Sequence, residues 1–218
     1  MKLYHLKWAL PSFTQFHVAA LFLIVCGSNL LPADEPGQGP AEKILIDFNS
    51  PDAARQVTET KGIPAGSTVA VDKTGIVVNF TPWQKGDADH PGFQVVPATG
   101  TSWDLSAYGH VEAKITNTGA VGINIVLHVV PTGEGPWTER NLESMQIKPG
   151  ETKTLKVIFG YSRGFKPVAP PAFNPASVAE IYIYLYHSIQ PHAFRIDELK
   201  AAGASGEVPV AVPASAAK

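Results

Sequence analysis

Hydrophobic and polar residues alternate in short runs along most of the chain, and turn residues separate the runs. The clearest run is residues 181–186, in which isoleucine or leucine alternates with tyrosine. Successive side chains of a strand point to opposite faces. The run therefore predicts a strand with an aliphatic core face and a second face formed by Tyr182, Tyr184 and Tyr186. That tyrosine face is either a second packed layer or an amphipathic platform open to a ligand.

The same alternation predicts roughly ten short strands with almost no helix. The predicted strands are residues 43–49, 68–72, 75–80, 92–97, 110–116, 122–130, 141–147, 151–159, 181–186 and 193–199. A short helical turn is predicted at 176–180. The 19 glycines and 19 prolines supply the many turns that such a chain requires. An all-β chain of this kind folds as an antiparallel two-sheet β-sandwich or as a barrel.

Both ends of the chain lie outside this pattern. Residues 1–33 combine an early positive charge with a short apolar run, which is typical of a signal peptide cleaved after Ala33 or, alternatively, Ser28. An uncleaved anchor is the other interpretation. Residues 34–42 form a linker, residues 43–201 the folded domain and residues 202–218 a disordered tail. We expect the mature protein to be secreted or to lie in the periplasm or at the cell surface, free of the membrane.

Charge and cysteine content narrow the classes of function. The formal net charge is −2, and no cluster of lysine and arginine occurs beyond the extreme N-terminus. Nucleic-acid binding needs such a cluster, so this partner is excluded. The single cysteine, Cys26, lies in the predicted signal segment, so the mature chain would have neither a disulfide nor thiol chemistry.

Aromatic side chains in loops and on the tyrosine face are candidates for sugar binding, because flat rings stack on the apolar side of a pyranose. Trp137 lies in a loop rich in glycine and proline, and Trp83 lies in a polar loop. A core position is expected for Trp103, which abuts a tight connection. Packing beneath a loop or a neighbouring strand is the alternative for the three tyrosines.

Three polar residues are further candidates for contacts with sugar hydroxyl or acidic groups. Asn124 and His128 share the non-core face of the predicted strand 122–130. Arg163 lies in a long loop, and arginine makes planar contacts with carboxylate or sulfate groups. The alternatives are a solvated loop cation for Arg163 and ordinary surface side chains for the other two.

Catalytic motifs are scarce. Glycoside hydrolysis needs a fixed pair of carboxylates, and no acidic residue here lies in a motif that fixes its partner. A polysaccharide lyase on this fold would need a Tyr/His/Arg cluster, which Tyr184, His128 and Arg140 supply in composition. The sequence therefore leaves enzymatic activity open but favours a protein that is not an enzyme.

Five motifs occur in a characteristic order: WDLSAY, TNTG, KPGETKTLKV, NPASVAEIYIYL and FRIDEL. In this order they resemble the carbohydrate-binding-module-like domain that precedes the catalytic barrel of bacterial agarases and, more broadly, the galactose-binding jelly rolls. The resemblance implies a jelly-roll β-sandwich. It also implies one structural calcium where the first and last strands meet, with Asp47 and Asp197 as its ligands; ordinary surface carboxylates are the alternative. No catalytic barrel is present in these 218 residues, so the catalytic activity of the agarases is not carried over with the resemblance.

The function expected from the sequence is therefore that of an exported, non-catalytic protein that binds a polysaccharide. A separate carbohydrate-active enzyme is a further expected partner. The alternatives are a small polysaccharide lyase or glycoside hydrolase on the same fold, and a structural or protein-interaction sandwich.

Overall fold

The computed structural model describes residues 42–133, 141–168 and 173–210. These residues form thirteen strands and two short 3₁₀ turns, the turns at Ala53–Gln56 and Pro175–Ser177. The strands are β1 (Lys43–Ile44), β2 (Val57–Glu59), β3 (Thr68–Asp72), β4 (Gly75–Phe80), β5 (Gly92–Val95), β6 (Tyr108–Asn117), β7 (Ile123–Pro131), β8 (Leu142–Ile147), β9 (Thr152–Ile158), β10 (Tyr161–Ser162), β11 (Lys166–Pro167), β12 (Val178–Leu185) and β13 (His192–Ala204).

Two antiparallel sheets form the fold. The six-stranded sheet has the order β3-β4-β13-β6-β9, and β1 pairs with the second half of β13. The five-stranded sheet has the order β2-β5-β12-β7-β8, and β10 and β11 form a separate small hairpin. The predicted two-sheet antiparallel β-sandwich is therefore confirmed.

The core lies between the two sheets and consists of side chains from alternate strand positions. The aliphatic face of β12 is buried in it, as the alternation predicted. Phe93 and Phe194 face this core from the two sheets and have no exposed surface. Trp103 also packs in it, as expected from its tight connection. Burial of such side chains is the main contribution to the stability of a sandwich.

Several predicted element bounds are corrected. The first strand ends after Ile44, and Leu45 and Ile46 are both buried. Both side chains pack in the same core between the sheets. Strict alternation would send them to opposite faces, so the backbone leaves the extended pattern there. The predicted helical turn at 176–180 is a 3₁₀ turn that ends at Ser177. Strand β13 continues to Ala204, past the predicted domain boundary at 201.

The predicted signal segment and nearly all of the predicted linker lie outside the described residues. Within the described ranges, the structure contains no helix with the length and apolar character needed to cross a membrane.

Candidate functional site

The outer face of the five-stranded sheet carries the predicted tyrosines. Strand register aligns five side chains in one row across all five strands, in the order Thr58, Gln94, Tyr182, His128, Leu142. Along this row the side chains become less exposed: Thr58 is exposed, whereas His128 and Leu142 are buried. The β2–β5 side of this outer face is therefore open, and the β7–β8 side is packed.

A groove of about 780 Å³ lies on the open side. Its lining contains polar side chains from β2 and β5, from the segment that follows β2, and from the loop before β5. They are Thr58, Glu59, Lys61, Asp89 and Gln94, with His90 and Tyr182 as the aromatic members. Together these groups offer hydroxyl, carboxylate, ammonium and amide groups beside aromatic rings. This combination can take up the hydroxyl groups of a sugar as well as its apolar surface.

Backbone contacts position the walls of the groove. The Thr60 hydroxyl donates to the Gly92 carbonyl oxygen at 3.0 Å, which ties the end of β2 to β5. The Ala88 amide donates to the Gly62 carbonyl oxygen at 2.6 Å and fixes the loop before β5. A Cβ atom at Gly92 would lie 2.6 Å from the Cβ of Tyr184, so glycine is needed for the close approach of β5 and β12. The groove is therefore preformed by the fold.

The three tyrosines do not form one open platform, because two of them pack as a second layer. Tyr182 and Tyr184 are 1% and 6% exposed, and their rings stack on each other with centroids 4.8 Å apart. Both pack with Val126, Val130 and Leu142 in a second, smaller apolar cluster. The neighbouring strands β7 and β8 thus supply a partner layer for these rings.

The Tyr182 hydroxyl contributes to the position of the loop before β5. It donates a hydrogen bond of 2.9 Å to the His90 carbonyl oxygen. Burial raises the pKa of Tyr182 to about 12. The hydroxyl therefore keeps its proton at neutral pH and remains a donor.

Tyr186 is 41% exposed and belongs to an aromatic rim at the end of the groove. The His90 ring lies edge-on to Tyr184 and Tyr186, with centroid distances of 5.4 and 5.3 Å. Trp83 packs on His187 at 4.8 Å. The His187 Nδ1 atom lies 3.5 Å from a carboxylate oxygen of Asp89. Asp89 lines the groove, so this rim connects two predicted site residues, Trp83 and Tyr186, with the groove.

Other predicted site residues lie away from the groove. Asn124 is exposed on β7 opposite Gln146 of β8. Arg163 lies on the hairpin beyond β8, where its amide donates to the Leu142 carbonyl oxygen, so it is at the opposite edge of the sheet. His128, which lies between Tyr182 and Leu142 in the strand register, has no exposed surface to offer to a sugar in this structure. Trp137 lies outside the described residues.

The lyase alternative relied on Tyr184, His128 and Arg140. The first two are buried on the outer face of the sheet, and Arg140 lies outside the described residues. A general base or acid must reach the proton that it transfers. No observation in the described residues therefore favours this cluster as a catalytic site.

The two predicted calcium ligands line one small pocket between the first and last strands. Asp197 accepts hydrogen bonds from the Thr116 hydroxyl at 2.5 Å and from the Arg195 guanidinium. Asp47 accepts one from the backbone N–H of Asn49 at 2.9 Å. Calcium takes about six to eight oxygen ligands. Among the described residues, no group of three or more acidic, histidine or cysteine side chains is placed to hold a metal. The two aspartates alone do not form a calcium cage, and calcium binding stays a prediction.

Solved structures with this fold include two agarases. The agarase AgWH50C matches with a TM-score of 0.56 and 9% sequence identity, over 76% of this chain and 25% of that chain. An exo-β-agarase matches with a TM-score of 0.53 and 13% identity, over 74% of this chain and 25% of that chain. The present chain thus spans about a quarter of the length of each enzyme. No family model and no curated protein matches the sequence.

The resemblance to a domain of agarases is therefore confirmed at the level of the fold. Identities this low show a shared jelly-roll sandwich and leave the ligand to be argued from the chain's own residues.

Sequence reasoning missed most of the groove. Gln94, Glu59, Lys61, Asp89 and His90 were not among the predicted site residues. The alternation in residues 92–97 contained one usable signal, because it places Gln94 on the face opposite Phe93 and Val95. The loop residues gave no such signal, since only the fold brings them beside β2.

Proposed function

We propose that this protein is a non-catalytic carbohydrate-binding protein that holds a neutral polysaccharide in the groove between β2, β5 and the loop before β5. The observation that supports this most is the composition of the groove lining. An amide, two carboxylates, an ammonium group and two hydroxyls lie beside aromatic rings in a preformed groove of about 780 Å³. Polar groups next to aromatic surface are what a sugar ring requires.

The charges in the groove favour a neutral ligand over an acidic one. Glu59 and Asp89 carry negative charges, and Lys61 carries the positive charge among the lining residues. An anionic polysaccharide would bring further negative charge beside the two carboxylates, and like charges repel. Agarose is a natural first candidate among neutral polysaccharides, because two similar structures are agarases.

Affinity electrophoresis of the full chain tests the proposal. The gels would contain agarose, mixed-linkage glucan, xylan or alginate, and parallel assays would follow reducing ends and unsaturated products. We expect retardation by at least one neutral polysaccharide, weaker retardation by alginate, and no product. Product formation would instead establish an enzyme. Neither retardation nor product would favour a structural or protein-interaction role.

A pair of glutamine variants tests the location of the site. Gln94→Ala removes an amide from the groove, and Gln146→Ala removes one from β8 on the same face of the sheet, outside the groove. We expect Gln94→Ala to weaken binding roughly fivefold to tenfold, since a hydrogen bond contributes about 1 kcal/mol. Gln146→Ala should bind as the unchanged protein does. Equal affinity for both variants would place the ligand elsewhere.

Export and a separate carbohydrate-active enzyme as partner belong to the same proposal. The sequence of residues 1–33 supports export, because it has the pattern of a signal peptide. Intact-mass measurement of the extracytoplasmic fraction tests it, and an unprocessed chain found in the cytoplasm would contradict it. A partner enzyme would be sought by testing whether the chain raises the activity of an agarase on insoluble polysaccharide.

A further inference from the structure

Glu180 lies on the outer face of the five-stranded sheet, and no described residue pairs with its carboxylate. The strand register places it opposite Val130 of β7, and two positions along β12 from Tyr182. Both neighbours belong to the outer face, where Tyr182 lines the groove. A register irregularity between Val178 and Glu180 makes this possible, because Val178 points into the core and alternation resumes from Glu180 onward.

The carboxylate is partly buried, and no described residue donates a hydrogen bond to it or forms an ion pair with it. Burial alone raises the pKa of Glu180, with no opposing contribution from a cation or a donor. Among the described residues, the titratable groups that face it are Tyr182, on its own strand, and His128, diagonally across on β7. A partly buried polar group without a partner costs free energy in the unliganded protein, so it calls for an explanation.

We infer that Glu180 is a further ligand-binding residue, whose carboxylate accepts hydrogen bonds from two adjacent hydroxyl groups of the polysaccharide. The ligand would leave the groove past Tyr182 and reach Glu180 further along β12. Sugar hydroxyls are uncharged donors, and bonds from hydroxyl to carboxylate are short and strong. They would supply the donors that the fold does not. This inference rests on the proposed function, because it assigns a specificity residue to the same ligand.

The test uses Glu180→Gln, which keeps the shape and removes the charge. We expect polysaccharide affinity to fall roughly tenfold or more, since a hydrogen bond to a charged group is stronger than a neutral one. The melting temperature at neutral pH should rise, because the variant no longer buries an uncompensated charge. If the variant instead lowers the affinity and the melting temperature together, the substitution has disturbed packing, and the inference about Glu180 is contradicted.

The sign of the pH effect supplies a second measurement. The pKa of Glu180 is raised in the folded state, so the folded protein binds a proton more readily than the unfolded chain. Stability of the unchanged protein should therefore gain a contribution as the pH falls through the raised pKa of Glu180. Glu180→Gln should lack this contribution.

Glu198→Gln is the matched control. Glu198 lies on β13 of the other sheet and pairs with Lys200 at 2.6 Å. Its variant should leave the affinity unchanged and lower the melting temperature slightly.

The outcomes separate the two proposals. If the unchanged protein binds no polysaccharide, the proposed function fails. If the unchanged protein binds and Glu180→Gln binds equally well, only the inference about Glu180 is overturned.

Discussion

The outer faces of the two sheets differ in how their polar groups are satisfied. On the six-stranded sheet, register aligns Lys156, Glu112 and Lys200 in a row of alternating charge. Lys200 lies 2.8 Å from Glu42, 3.4 Å from Glu112 and 2.6 Å from Glu198. The charges of this row are paired within the protein.

A second contact on that sheet ties the segment after β13 to the same row. Glu207 pairs with His110 and lies 3.3 Å from Lys156. A Cβ atom at Gly203 would lie within 3 Å of both Glu207 and His110, so glycine leaves the room that this contact needs. The segment that directly follows β13 is thus held by the network.

The outer face of the five-stranded sheet has the opposite character. Its equivalent row carries the uncharged side chains of Thr58, Gln94 and Tyr182 across β2, β5 and β12. Among the described residues, the Gln94 side-chain amide and the Glu180 carboxylate have no hydrogen-bond partner. A face that satisfies its own polar groups gains little from a ligand, whereas a face with unmet hydrogen-bonding capacity gains more. We therefore propose that one outer face contributes mainly to stability and that the other binds the ligand.

The largest effect that tests this comparison is expected from Tyr184→Ala. The ring is 6% exposed and stacks on Tyr182, so its removal leaves a cavity in the smaller apolar cluster. We expect unfolding free energy to fall by about 3 kcal/mol or more, measured by chemical denaturation. A loss below about 1 kcal/mol would show that the packed half of this outer face does not contribute to stability as a core does.

A smaller effect is expected from Lys200→Met on the opposite face. The variant leaves Glu42, Glu112 and Glu198 without their shared cation, and we expect a loss of about 2 kcal/mol in unfolding free energy with unchanged polysaccharide affinity. Lys153→Met is the matched control, because Lys153 is exposed and makes surface contacts, with Glu151 at 3.0 Å and with the Gln146 carbonyl oxygen at 3.1 Å. The control should change stability by less than about 1 kcal/mol.

The pH range of the Lys200 effect follows from its charge environment. Glu198 and Glu42 raise the pKa of Lys200 above its ordinary value. A raised lysine pKa stabilises the folded state fully below the pKa of the unfolded chain, and the contribution is lost only as the pH rises through the higher folded value. The difference between Lys200→Met and the unchanged protein should therefore stay constant from about pH 6 to about pH 9. If the difference disappears within this range, the charge of Lys200 is not the source of the stabilisation.

The sequence was sufficient for the architecture because strand alternation is a local property. The pattern in residues 181–186 predicted both the core face and the tyrosine face of β12, and both are observed. The failure at the first strand has a physical reason. Leu45 and Ile46 are buried in succession where the chain leaves the sheet, and no periodic pattern reports such a departure.

The candidate site was predicted only in part, because it depends on which strands are neighbours. Gln94 and Tyr182 are 88 positions apart in the chain, yet β5 and β12 pair directly. Likewise, whether Tyr184 is a platform or a packed side chain is decided by β7, β8 and the ring of His90. A single sequence shows the alternation but not the order in which strands pair. The alternation therefore placed Tyr186 on the same face as Tyr182 and Tyr184, but it did not predict that Tyr186 is exposed and the other two are buried.

The smallest effect on stability is expected from Tyr186→Ala, which completes the comparison within the tyrosine face. Tyr186 is 41% exposed on the rim, in contact with His90. Exposed side chains contribute little to stability, so unfolding free energy should change by less than about 0.5 kcal/mol. If the ring stacks on a sugar, the loss of about 1 kcal/mol should weaken binding about fivefold, measured by affinity electrophoresis beside Tyr184→Ala. If affinity and stability are both unchanged, the Tyr186 ring does not contact the ligand. The ligand would then be confined to the groove, and the aromatic rim would not belong to the site.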